Sequence, residues 1–223
     1  DYRVLREYYW DFNQGDFLSE KNSLVTIGQD PSEIILIPST NNYFMVYKHN
    51  KALLSVVGRG SESIYFSDEE AVYKLDPVTE QQFLNLSLKT PFPLAKEVIK
   101  GKYFLQDLSP DKGLILAISR NSLNQDNLWI IDINKNQSKK LSFLPGSFSQ
   151  GRFVKDDTIA YIDNVILYTS QLYSYQQEEV LKGVDTYWLG LPEGVFFAHK
   201  QGVSETVFTS RQNKLEKVLR TTR

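Results

Sequence analysis

His49 and His199 are the only two imidazoles in a chain of 223 residues that contains no cysteine. Disulfides, thiolate metal sites, Fe–S clusters and cysteine nucleophiles are therefore excluded. A two-histidine site is the one imidazole chemistry left, and no carboxylate stands at ligand spacing from either ring, so no metal is expected. Gly146-Ser147-Phe148-Ser149-Gln150-Gly151 sets serines between glycines. It is not Gly-x-Ser-x-Gly, and no helical pattern comes after it to build a strand–turn–helix elbow. Asp132-Ile133-Asn134-Lys135-Asn136 opens like a calcium loop, but Gln137 stands where that loop needs glycine and Phe143 where it needs a bidentate glutamate. It reads as a hairpin turn. The carboxylate pairs in Asp68-Glu69-Glu70, Asp156-Asp157 and Glu178-Glu179 point to opposite faces of a strand or into solvated turns, which does not make an acid–base pair. No catalytic set and no cofactor are expected.

Charge narrows the partners. Lys and Arg number 25 against 27 Asp and Glu, for a net charge of −2, so no basic field gathers a nucleic acid. Arg211, Lys214, Lys217, Arg220 and Arg223 recur every third residue at the C-terminus. They suit an outer edge strand, where lysine blocks edge-to-edge pairing. No nucleic-acid partner is expected.

The elements that must position these residues are short strands. Runs rich in Val, Ile, Tyr, Phe and Leu alternate with turn residues, as in Tyr43-Phe44-Met45-Val46-Tyr47, Leu128-Trp129-Ile130-Ile131 and Thr158-Ile159-Ala160-Tyr161-Ile162. Asp76-Pro77-Val78-Thr79-Glu80 and the tail from Arg211 to Arg220 could start helices; both are assigned to hairpins. The longest apolar runs, Ile34 to Ile37 and Leu114 to Ile118, fall far short of the ~20 residues of a membrane helix. The start, Asp1-Tyr2-Arg3-Val4-Leu5-Arg6, has no signal pattern and is expected to lie inside a longer protein.

Glu97-Val98-Ile99-Lys100-Gly101 recurs as Glu179-Val180-Leu181-Lys182-Gly183, and the residues after the two copies are also alike. With Gly60 and Gly146, these glycines divide the chain into units of about 40 residues, the size of one four-stranded propeller blade. The unit from Gly101 predicts strands at 102–108, 114–119, 128–133 and 139–143. The next predicts 151–155, 158–163, 165–170 and 178–181, and the last 186–191, 195–199, 204–210 and 214–220. Residues 28–60 read one strand short, residues 1–27 could complete another blade, and 23–27 could instead supply a strand to the last. The expected fold is an all-β propeller of about five four-stranded blades, one domain over 1–223; a β-sandwich is the alternative.

Leu108-Ser109-Pro110-Asp111-Lys112-Gly113-Leu114-Ile115-Leu116-Ala117, succeeded by Asn127-Leu128-Trp129-Ile130-Ile131-Asp132-Ile133, resembles the TolB-like and WD-type propeller repeat. That repeat has a Ser-Pro-Asp-Gly turn, an apolar strand and an Asn-Leu-Trp strand. The likeness is good over this one blade, and it departs where Asp111-Lys112-Gly113 replaces the family's Asp-Gly-Lys. It implies a fold and a range of functions, from envelope scaffolds and lipoproteins to the lid of prolyl-oligopeptidase-type hydrolases.

The expected function is a non-enzymatic scaffold for a protein or peptide partner, in the periplasm or at the cell envelope, with the cytoplasm as the alternative. The competing class is the propeller of a peptidase or a glycan-acting enzyme. The binding residues are expected on the rim carrying the loops between second and third strands and between blades: Arg59, Lys100, Phe148 and Lys182, with His49 and His199.

Overall fold

The computed structural model describes residues 24–37, 44–58, 64–76, 94–141, 146–174, 176–190, 195–200, 206–211 and 214–220. Their regular elements are all strands, and the strands form antiparallel sheets that succeed one another along the chain. The first holds β1 (Leu24–Ile27), β2 (Glu33–Ile37) and β3 (Phe44–Lys48). The second holds β4 (Ser55–Gly58), β5 (Ile64–Ser67), β6 (Ala71–Leu75) and β7 (Ala95–Lys100). The third holds β8 (Phe104–Leu108), β9 (Leu114–Arg120), β10 (Asp126–Asp132) and β11 (Gln137–Lys140). The fourth holds β12 (Phe148–Lys155), β13 (Thr158–Asp163), β14 (Ile166–Gln171) and β15 (Gln177–Lys182). The last comprises two hairpins, β16 (Val184–Gly190) with β17 (Val195–Lys200) and β18 (Thr206–Arg211) with β19 (Lys214–Arg220). β18 lies beside β17.

Each full sheet is a meander whose strands, a to d, pair with their neighbours in order. The a strands line up from sheet to sheet: β4 lies beside β8, β8 beside β12 and β12 beside β16. Apolar cores fill the spaces between successive sheets, which is the radial packing of a propeller. Strand b shows how the sequence encodes this. In β9, Ile115 and Ala117 enter the core toward the second sheet, whereas Leu116 and Ile118 enter the core toward the fourth. In β13, Ile159 and Tyr161 face back and Ala160 and Ile162 face forward. Successive side chains of a strand point to opposite faces, so a strand buried on both faces reads as an unbroken apolar run. A two-sheet sandwich would leave one face of each sheet polar, and this pattern replaces it.

Side chains on the a strands stitch the sheets. Ser55 Oγ accepts from the N–H of Leu105 at 2.7 Å, Asp107 Oδ2 from that of Phe153 at 2.7 Å, and Gln150 Oε1 from that of Tyr187 at 3.1 Å. In each case a polar atom of one a strand takes a backbone donor from the next. The Tyr187 hydroxyl adds bonds to the carbonyls of Gln150 and Ala160.

Two boundaries differ from the sequence expectation. Gly60 does not open a blade: β4 precedes it and is the first strand of the second sheet, so the join falls at 49–54. Of the segment 23–27, the described residues 24–27 do not serve the last blade either: they form β1, which pairs with β2 of the first sheet from Leu24↔Ile37 to Ile27↔Ile34. The backbone fixes the class of these strands. His49 N–H bonds to Ser32 O as Gly101 N–H bonds to Glu70 O and Val184 N–H to Val165 O. In the second and fourth sheets this bond ties the connection after strand d to the b–c turn, so β1, β2 and β3 are strands b, c and d. The segment 77–80 considered for a helix lies outside the described residues; the C-terminal tail is β19.

Candidate functional site

A meander sends its a–b and c–d turns to one rim and its b–c turns and blade-to-blade connections to the other. Of the residues expected to bind, Lys100, Lys182, Phe148 and His49 fall at the second rim. Lys100 and Lys182 end β7 and β15 with exposed side chains, and Lys182 pairs with Glu179 at 3.6 Å. Phe148 is buried, edge-on to Tyr161, and serves the core between the third and fourth sheets. Arg59 lies outside the described residues, in the segment between β4 and β5. His199 is paired through its backbone with Thr186 in β17, and its side chain lies outside the described set.

His49 comes after strand d rather than strand b, and its ring is nearly buried among Tyr47, Phe66 and Tyr73. Its Nε2 lies 3.2 Å from Asp68 Oδ2 and its Nδ1 3.2 Å from the Tyr47 hydroxyl. Asp68 is fully buried, and its Oδ1 accepts the N–H groups of Glu70 and Ala71. Burial opposes its charge, but these backbone donors and His49 outweigh it and hold the carboxyl below its usual range. The arrangement caps the β5–β6 turn and clasps the first two sheets together.

The concave site lies on the opposite rim, between the third and fourth sheets. A cavity of about 530 Å³ opens there among four turns. The a–b turn of the third sheet supplies Asp111, Gly113 and Leu114; its c–d turn supplies Asp132 and Asn134. The fourth sheet supplies Lys155, Asp156 and Asp157 from its a–b turn and Tyr173 from its c–d turn. Tyr173 stands at 80% exposure.

The Ser-Pro-Asp turn builds the first wall. Asp111 Oδ1 accepts from Ser109 Oγ at 2.5 Å and from the N–H of Gly113 at 3.0 Å, while Ser109 Oγ takes the N–H of Leu114. The Ser109 bond is the main cause holding the Asp111 carboxyl below its usual range. Asp111 in turn donates its N–H to Asp156 Oδ1 at 2.9 Å, which fixes one sheet's turn against the next. Asp132 caps the c–d turn by accepting from the N–H groups of Asn134 and Lys135, and Lys135 Nζ, 2.7 Å away, lowers its pKa. Lys155 lies 3.7 Å from Asp157. The wall thus carries four carboxylates and one lysine. Each of Asp111, Asp132 and Asp156 binds turn backbone, so the three are held in place as a fixed negative field. Among the described residues no group of three His, Asp or Glu side chains is placed to hold a metal ion.

Sequence reasoning found the turns and read them only as turns. The signal it missed is topological: Asp111, Asp132 and Asp156-Asp157 all occupy a–b or c–d turns of adjacent repeats, which puts them on one rim.

No protein-family model matches the chain, and no curated protein sequence matches it. Solved structures do. TolB from Acinetobacter baumannii superposes with a TM-score of 0.62 at 12% identity, over 94% of this chain and 55% of that one. An oligogalacturonate lyase in complex with manganese gives 0.65 at 9% identity, over 92% and 64%. A puromycin-hydrolyzing peptidase of Mycobacterium tuberculosis gives 0.58 at 10% identity, over 89% and 37%. The chain therefore spans between about a third and two thirds of the length of these structures. The likeness establishes a TolB-like β-propeller, a fold used by enzymes and by TolB alike. Among the described residues no helix is long and apolar enough to cross a membrane.

Proposed function

We propose that the chain is a non-enzymatic propeller scaffold, one domain or part of one, that holds a protein or peptide segment at the rim cavity between its third and fourth sheets. The cavity carries the reading. Three of its four carboxylates, Asp111, Asp132 and Asp156, are fixed by backbone donors before any ligand arrives, and a protruding tyrosine stands at its edge. Preorganised groups bind at a lower cost in lost freedom. The negative wall favours a lysine or arginine side chain, and the Tyr173 ring offers its face to the same cation. Asp111 and Asp132 are turned to their own backbones, which supports holding over acid–base chemistry. The resemblance to TolB-like repeats supports a place at the cell envelope, which cell fractionation tests.

Selection of a random peptide display library on the immobilised chain tests the binding. Enrichment of Lys- and Arg-bearing peptides that elute with salt, and that are lost with Asp156→Asn/Asp157→Asn, is expected. Failure to enrich, or enrichment indifferent to those substitutions, contradicts the proposal.

A further inference from the structure

The cavity between the third and fourth sheets already contains a cation of its own. Lys155, the last residue of β12, lines it with a half-exposed side chain whose Nζ lies 3.7 Å from Asp157 Oδ1. That separation is too long for a hydrogen bond. Charge alone holds the ammonium there, and an ion pair this exposed contributes little.

The second lysine of the region is placed differently. Lys135 is not among the lining side chains, and its Nζ bonds Asp132 Oδ2 at 2.7 Å. Asp132 is thereby fully engaged, since its Oδ1 takes the N–H groups of Asn134 and Lys135. The other three carboxylates each have one oxygen in use. Asp111 Oδ1 is taken by Ser109 and Gly113, Asp156 Oδ1 by the Asp111 N–H, and Asp157 Oδ1 by the Thr158 hydroxyl. Among the described residues, the Oδ2 atoms of these three are the acceptors left for a ligand, and Lys155 is the cation already beside Asp157.

An incoming basic side chain competes with Lys155, and lysine and arginine compete unequally. A lysine brings the same hydrated point charge that Lys155 supplies, so one ammonium replaces another with little gain. An arginine brings a planar fork of N–H donors that bonds carboxylate oxygens in pairs and whose face stacks on an aromatic ring. Asp156 and Asp157, adjacent in one turn, offer oxygens to the fork, and the exposed Tyr173 offers the ring.

We infer that Lys155 is a specificity-determining residue, a built-in competitor that makes the cavity select an arginine-bearing segment over a lysine-bearing one. This rests on the proposed function, because it names which of two cations the cavity holds.

Fluorescence anisotropy tests it, with the peptide enriched on the immobilised chain made in an all-arginine and an all-lysine version. Both are titrated with the parent chain, Lys155→Gln and Lys155→Arg; position 155 is half exposed, so both variants are expected to fold as the parent does. The parent binds the arginine version at least about fivefold more tightly. Lys155→Gln strengthens both versions, the lysine one more, and the preference falls below about twofold. Lys155→Arg places a fork inside the cavity and weakens the arginine version at least about threefold. The ratio of the two affinities carries the test, because removing a positive charge by itself favours both peptides alike. No preference for arginine in the parent, a preference unmoved in Lys155→Gln, or Lys155→Arg binding as the parent does overturns the inference and leaves the cavity reading intact. A selection that enriches nothing, or binding of neither version by any of the three proteins, overturns both.

Discussion

Lys112 stands at φ 60°, in the left-handed region where an ordinary side chain is strained. The TolB-like repeat puts glycine at this step of its Ser-Pro-Asp turn, so the departure seen in the sequence has a definite energetic consequence at one residue. Lys112→Gly is expected to stabilise the chain by roughly 1 kcal/mol, read as a higher urea midpoint with an unchanged slope. Asp68 illustrates the opposite case, a polar residue whose burial is fully answered. Its folded pKa lies below the ordinary value of about 4. The stability it contributes is therefore complete above that pH and is lost as the pH falls through the lower, folded value. Asp68→Asn should destabilise the chain by about 1–3 kcal/mol at neutral pH. The acid-induced fall in melting temperature should also be shallower in that variant. An equal acid response in both proteins would deny Asp68 this role.

Strands, rather than single residues, were what the sequence expressed most clearly. β13 falls where the apolar run put it, and β9 extends one residue past its predicted end, because a strand buried on both faces leaves an unbroken run bounded by turn residues; β19 falls at the predicted 214–220 of the charged C-terminal tail. The stitches between a strands were not legible. Ser55, Asp107 and Gln150 are ordinary polar residues on half-apolar strands, and only the placement of the next sheet gives them a donor to accept. Asp107 should matter most. Its carboxylate takes the N–H groups of both Leu108 and Phe153 in a buried setting, so Asp107→Ala strands two backbone donors and should cost roughly 2–4 kcal/mol. Ser55→Ala, which strands the Leu105 donor, should cost less. Chemical denaturation of the two variants checks the order. Gly101 is a further fixed point: at φ 130°, with an added Cβ only 2.7 Å from the Tyr103 ring, it should tolerate no alanine without loss of stability.

At the scale of the whole molecule, the repeat gave the propeller but misplaced one join. The glycines at 101 and 183 have positive φ at true blade boundaries, whereas Gly60 comes after the first strand of its sheet. A glycine marks a turn, and a turn within a blade looks like a turn between blades until the pairing is known. The same ambiguity put the expected binding residues on one rim and hid the cavity on the other. The rims differ in kind: one is concave and lined by Asp111, Asp132, Asp156 and Asp157, whereas the other carries paired charges such as Arg120 with Asp126 and Lys182 with Glu179. Binding at the acidic cavity should weaken as salt rises, since its partly exposed charges are screened.

The most direct test is fluorescence anisotropy of a Lys- or Arg-bearing peptide taken from the display selection, titrated with the parent chain and with Asp111→Asn/Asp156→Asn/Asp157→Asn. Saturable binding to the parent, weakened at least about tenfold in the variant, and a peptide recovered intact by mass spectrometry are predicted. Equal affinity for both proteins, or cleavage of the peptide by the purified chain, would contradict the account.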